Sequence, residues 1–265
     1  MSTSDHISQW PRPAFDKARQ PHFLFIVTPP MSGSTAIAEV LNSSAHTTLL
    51  QQRGEGQWLV PGLCADDRWS SEMFVDYASV KAVWLSTFAL LQDAAPQLEV
   101  VIEKSPPNMV RIEQLAAQFR SVSFLANNRD PYANCASILY RNYAADKPGA
   151  AERIHVLTRL AHEWVLRSEK IRELVLKLNI PLLTYEKFCE YPASILQALT
   201  LPQGVAASID TSATVKVKVK DYPVQGIANQ NERQLALLSS SELATIGKGL
   251  QAHSELLEFF GYPLR

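Results

Sequence analysis

The sequence of 265 residues is poor in cysteine, with three, at Cys64, Cys135 and Cys189. Three scattered thiols make neither a disulfide framework nor a Cys-x-x-Cys metal site, so free thiols in a reducing compartment are expected. Long apolar runs are also missing. The longest clean one spans 23–27, far short of the ~18 residues a membrane helix needs. No basic segment followed by an apolar one opens the chain, so no signal peptide is expected and the location expected is cytoplasmic. Charge is scarce: Lys and Arg number 25, Asp and Glu 26, for a net charge of −1. That balance lacks the basic excess by which nucleic-acid binders hold phosphates, so neither nucleic acid nor membrane is an expected partner. The Walker pattern GxxxxGK(S/T) is absent. No His, Cys and Asp spacing fits a metal site, so no metal is expected.

What is present is an alternation. Hydrophobic residues make up 46% of the chain, enough for a full core at this length. A polar, proline-bearing arm covers 1–21, and one domain is expected over 22–265. Short apolar strands are predicted at 23–27, 99–102, 122–126 and 181–184. Helices are predicted at 35–41, 74–91, 109–119, 132–143, 151–178 and 240–260. Strands that alternate with helices predict an α/β fold in one domain, a central parallel β-sheet flanked by helices. Such sheets place chemistry at the carboxyl ends of their strands.

Four segments sit at those ends. Thr28-Pro29-Pro30-Met31-Ser32-Gly33-Ser34-Thr35 joins the first strand to its helix. A strand-to-helix turn with Gly aims backbone N–H groups at one point, where the helix dipole also favours an anion. The plainer reading is an ordinary Ser/Thr helix cap. Glu103-Lys104-Ser105-Pro106 follows the second strand. Asn128-Arg129-Asp130-Pro131 follows the third, with Ser137 on the next helix, and Tyr185-Glu186-Lys187-Phe188 follows the fourth.

In that order the four resemble the motifs of the sulfotransferase family, which uses 3′-phosphoadenosine 5′-phosphosulfate (PAPS) as donor and leaves 3′-phosphoadenosine 5′-phosphate (PAP). The resemblance covers about 23–262 and implies a P-loop-like turn that binds phosphosulfate. It implies that Ser32, Gly33, Ser34 and Thr35 hold the 5′-phosphosulfate, and that Arg129 and Ser137 clamp the 3′-phosphate. It places Tyr185 near the adenine or the 3′-phosphate and Lys104 at the transferred group. It also takes Lys220 as part of a late basic loop, although the alternation of Lys216, Lys218 and Lys220 with valines reads first as an edge strand guarded by lysines. The family usually has Lys or Arg before Ser-Gly; here Met31 stands there, so either Lys104 or Arg53 supplies that charge or the transfer is slower.

An acceptor hydroxyl or amine must lose a proton as it attacks sulfur. Some sulfotransferases use a His as base and others a Glu on the loop after the first helix; the resemblance thus makes Glu55, between Gly54 and Gly56, the expected general base, with His46 as its competitor. Trp58, Trp69, Phe74 and Tyr77 are candidates for an acceptor pocket. The expected activity is therefore in-line transfer of a sulfuryl group from PAPS to a small molecule. Family-level analogy suggests a secondary metabolite such as an alkaloid toxin. The rivals are a catalytically weak PAPS- or PAP-binding protein and a nucleotide-dependent kinase.

Overall fold

The computed structural model describes residues 20–143, 149–212, 216–217 and 224–265. Its centre is β1, His22–Val27. The side chains alternate across it, as the two-residue period of a strand requires. Phe23, Phe25 and Val27 enter one core; Leu24 and Ile26 enter the other. A strand buried on both faces has no polar side, and for that reason 23–27 is uniformly apolar.

The sheet is parallel throughout, in the order β2-β3-β1-β4. Its other strands are β2, Thr47–Leu49, β3, Val100–Glu103, and β4, Val122–Ala126. From β1 the chain passes through α1, Ser34–Leu41, to the far edge at β2, and later lays β4 on the other side of β1. That reversal beside β1 opens a crevice at the carboxyl ends of the strands.

One face of the sheet packs on α2, Tyr77–Ala94, α4, Pro131–Asn142, and α5, Ala150–Leu178, through Trp84, Leu139 and Trp164. Phe23 and Phe119 stack there with centroids 3.8 Å apart. The other face is covered by α1, by α6, Tyr185–Glu190, and by α7, Ser194–Ala198, through Ile37, Phe188 and Ile195. Each of these side chains contributes roughly 1.5–3 kcal/mol on burial.

Several expected boundaries move. The strand read at 181–184 is a single parallel bridge between Ala126 and Leu182. The helix read at 109–119 starts later: Pro106 and Pro107 lead a 3₁₀ turn to Arg111, and α3 covers only Ile112–Ala116. Asp76 caps α2 by accepting from the N–H groups of Ala78 and Ser79, so that helix begins at Tyr77 and leaves Phe74 exposed. Strand β2 was missed, because three residues with two threonines show no period.

Near the carboxyl terminus, β5, Lys216–Val217, pairs antiparallel with β6, Gln225–Gly226. The helix α8 covers Asn231–Leu235. The helix read at 240–260 divides into α9, Ser240–Leu250, and α10, Ser254–Phe260. Gly247 and Gly249 let α9 press against the carbonyl of Arg265 and against Ala161, and the helix gives way to a 3₁₀ turn just beyond them. Among the described residues, no helix is long and apolar enough to cross a membrane.

Candidate functional site

A cleft of about 1090 Å³ opens at the carboxyl ends of the strands. Gly33, Ser34, Thr35, Glu55, Lys104, Arg129, Ser137 and Tyr185 all line it. They come from five separate stretches of chain. Lys220 lies outside the described residues.

The turn after β1 is pulled into shape from below. Asn127 Nδ2 donates to Thr28 Oγ1 at 3.0 Å and to the Ser32 carbonyl at 2.8 Å. Asn134 Nδ2 donates to the Pro30 carbonyl at 2.8 Å and to Ser32 Oγ at 3.2 Å. Ser32 is therefore wholly buried beneath the turn and is not among the residues lining the cleft. These bonds turn the Pro30 and Ser32 carbonyls inward, while the Met31 carbonyl faces Arg129. Gly33 stands at φ 81° and gives α1 no side-chain cap, and no acid occupies the first turn of α1. The first N–H groups of a helix find no acceptor within it, so this end of α1 suits an anion.

Gly33 is required twice over. Its φ lies in the left-handed region, and a Cβ there would sit 2.3 Å from Cδ2 of Tyr185. The Tyr185 ring backs the turn, and its hydroxyl donates to the Ala228 carbonyl at 3.1 Å and accepts from Gln230 N–H at 3.0 Å. The Arg129 guanidinium lies over the same ring, 4.4 Å from the centroid.

Arg129 is held at two points. Nε donates to Asn231 Oδ1 at 2.8 Å, and Nη1 donates to the Met31 carbonyl at 3.0 Å. Nη2 is buried and has no partner among the described residues. A buried, charged donor left unpaired is costly, and a ligand oxygen would satisfy it. The neighbouring Asp130 does not hold this guanidinium: it caps α4 and faces Arg265.

The neighbouring strand, β3, clamps the loop that carries Glu55. Lys104 N–H donates to the Gly54 carbonyl at 2.8 Å. Gly56 N–H donates to Glu103 Oε1 at 3.2 Å, and Gln57 N–H to Ser105 Oγ at 3.1 Å. From the core, Trp84 Nε1 donates to the Gly56 carbonyl at 3.1 Å. Glu55 itself is fully engaged: Oε1 accepts from Lys104 Nζ at 2.9 Å, and Oε2 accepts from Trp58 Nε1 at 2.9 Å and Gln57 Nε2 at 3.1 Å. Burial pushes its carboxyl up, yet the Lys104 ammonium and these three hydrogen bonds outweigh it and hold it below the ordinary 4.5. Lys104 is 2% exposed, so it is no solvated lysine.

His46 lies away from this site. Its Nδ1 meets the Gln97 carbonyl at 3.0 Å and Glu99 at 3.1 Å, beside β2, and it is not among the residues lining the cleft. Neither is Arg53. Met31, in contrast, lines the cleft with its backbone at φ 58°.

Sequence reasoning missed the supports. Asn127, Asn134 and Asn231 are loop or helix-end asparagines whose partners lie about a hundred residues away. Glu103 was assigned no role of its own. It is a buried carboxyl whose pKa burial raises to about 7, and it accepts from the Ser105 hydroxyl and from the N–H groups of Ser105 and Gly56.

No family model and no curated protein matches the chain. Solved structures do. The chain is similar to sulfotransferase STF9 from Mycobacterium avium, with a TM-score of 0.51 at 12% identity over 92% of this chain and 78% of that one. It is also similar to the sulfotransferase domain of the Synechococcus PCC 7002 olefin synthase, with a TM-score of 0.49 at 17% identity over 97% and 100%. A sulfotransferase from Alicyclobacillus acidocaldarius gives 0.47 at 12% identity over 86% and 95%. With its parallel sheet in the order β2-β3-β1-β4 and helices on both faces, the chain has the sulfotransferase fold.

Proposed function

We propose that the protein transfers a sulfuryl group from PAPS to a hydroxyl or amine of a small-molecule acceptor. The observation that carries this reading is the buried Arg129 Nη2, lacking a partner among the described residues, in the same cleft as the open end of α1. PAPS offers one anion for each: a 3′-phosphate for Arg129 and Ser137, and a phosphosulfate for the N–H groups of Gly33, Ser34 and Thr35. PAPS supplies an activated sulfuryl group whose leaving oxygen gains charge as the bond breaks. N–H donors fixed in advance stabilise such charge without reorganising.

Lys104 and Glu55 then divide the remaining work. With no cation at Met31, Lys104 is the ammonium that meets the leaving oxygen. Once Lys104 turns to the donor, Glu55 loses its strongest stabilising partner and burial raises its basicity. A carboxylate held weakly basic in the free protein thereby becomes a base when the donor is in place, and takes the acceptor's proton.

The test is thermal stabilisation by PAP, ADP and ATP, followed by turnover of PAPS. PAP should stabilise most, because ADP and ATP offer nothing to Arg129 Nη2. Stronger stabilisation by ATP would sink the reading and favour a kinase. A second reading, a PAP-binding protein of low turnover, is favoured by the closed Glu55–Lys104 pair. Turnover with PAPS decides between the two.

A further inference from the structure

The cleft carries more positive charge than the donor residues use. Arg159 and Arg167 line it from α5, and Arg68 from the loop before α2, stretches that hold no residue assigned to the donor. On α5, positions 159, 163 and 167 repeat every four residues and share one face. Glu163 between them is divided: Oε1 accepts from Arg159 Nη1 at 2.7 Å and Oε2 from Arg167 Nη2 at 2.9 Å. One carboxylate thus serves two guanidiniums. Among the described lining residues the only other acid is Glu55, and it is committed to Lys104.

Arg167 is only 16% exposed and lies 4.4 Å over the Trp69 ring. A charge kept this far from water is costly unless a counter-charge meets it. Burial already lowers its pKa, against the pull of Glu163. Arg159 also donates to the Tyr143 hydroxyl, a neutral partner. The result is a cationic, aromatic-walled arm of the same cleft.

We infer that the acceptor carries an anionic group, a carboxylate or a phosphate, that docks on Arg159 and Arg167 with Trp69 beneath. This rests on the sulfuryl-transfer reading above, and it names the class of acceptor that reading leaves open. An alkaloid cation would meet repulsion here.

The experiment uses the full chain saturated with PAP and four phenols matched at the para position: 4-hydroxyphenylacetate, its methyl ester, tyramine and 4-hydroxybenzylphosphonate. Binding is measured by calorimetry. The two anions should bind about tenfold or more tighter than the ester, the range of a charge-assisted hydrogen bond, and tyramine should bind weakest. The tighter of the two anions distinguishes carboxylate from phosphate. Arg167→Gln should erase most of the anion preference while PAP affinity is kept. Glu163→Gln should act in the opposite direction and tighten both anions, since it frees two guanidiniums. That reversal of sign is not expected of substitutions that only damage the fold. The inference is overturned by an ester or amine that binds as well as the anions, by no binding from any of the four, or by anion affinities that ignore both substitutions. An equal loss of PAP affinity in Arg167→Gln also overturns it, by assigning the arm to the donor. Failure of wild-type protein to bind PAP would instead sink the donor reading on which the inference stands.

Discussion

The two ends of the cleft are built on different principles. Around the turn after β1 the work is done by neutral groups: Asn127, Asn134 and Asn231 donate or accept at 2.8–3.2 Å. The single buried cation there, Arg129, is aimed by an amide, a carbonyl and an aromatic ring. On α5 the work is done by charge, with Glu163 bonded to Arg159, which is half-exposed, and to Arg167, which is mostly buried. Satisfied neutral hydrogen bonds in a buried setting rigidify the groups they join and carry no long-range field. Charge at a rim attracts over a distance and tolerates some misfit. A site that must seat one donor in one pose is served by the first, and a site that selects by charge is served by the second.

The largest loss is expected from the acid on the loop that β3 clamps. Glu55→Gln should lower kcat by roughly 10²–10⁴-fold, the loss for a positioned general base, and leave PAP affinity near normal. His46→Ala should change turnover little, because His46 sits on Gln97 and Glu99. Equal turnover in Glu55→Gln and wild type would remove the base from this loop.

Next in size is the buried support of that loop. The folded protein keeps a proton on Glu103 up to about pH 7, whereas the ordinary value is 4.5. Stability therefore falls as pH rises through that window, by up to roughly 3 kcal/mol at 1.4 kcal/mol per pH unit. Glu103→Gln cannot ionise. Denaturant melts should show it gaining on wild type at pH 8 and matching it at pH 4. A loss of the same size at both pH values would mean that the carboxyl matters only for its shape.

The neutral end is probed by Arg129→Ala, expected to weaken PAP by about 1.5–3 kcal/mol and adenosine 5′-phosphosulfate much less. Calorimetry with both ligands checks this, and equal losses would take Arg129 off the 3′-phosphate. The smallest effect is expected from Met31→Lys. A lysine can lay its stem where the methionine packs and put its ammonium in the cleft, so stability should move by less than about 0.5 kcal/mol and donor binding should tighten. A large loss of stability, read from the same melts, would show that this end rejects added charge.

What could be read from the sequence was what is local. The apolar run at 23–27, the Gly33 turn, Glu103-Lys104-Ser105-Pro106 and Arg129-Asp130-Pro131 announce themselves within a few residues. They led to a parallel sheet, with three of its four strands, and to residues most of which share one cleft. The pairing of Lys104 with Glu55 could not be read, because 49 positions separate them and a glycine-flanked acid looks like an exposed loop residue. Nor could the asparagines, since their residue type signals a turn wherever it stands in a loop. Ser32 shows the limit of a motif. It holds its place in the pattern, yet Asn127 and Asn134 turn it into the floor of the turn.

Gly33 and Tyr185 occupy one shared space. The ring fills the volume that a side chain at 33 would claim, so position 33 is not free to drift alone. Any lineage that replaces Gly33 must first shrink residue 185, and must choose for 33 a residue such as asparagine that tolerates a positive φ. With a small residue at 185, the surface over which Arg129 lies disappears. Two positions 152 apart in the chain are thus bound into one heritable unit, and a change at 33 is paid for at 185.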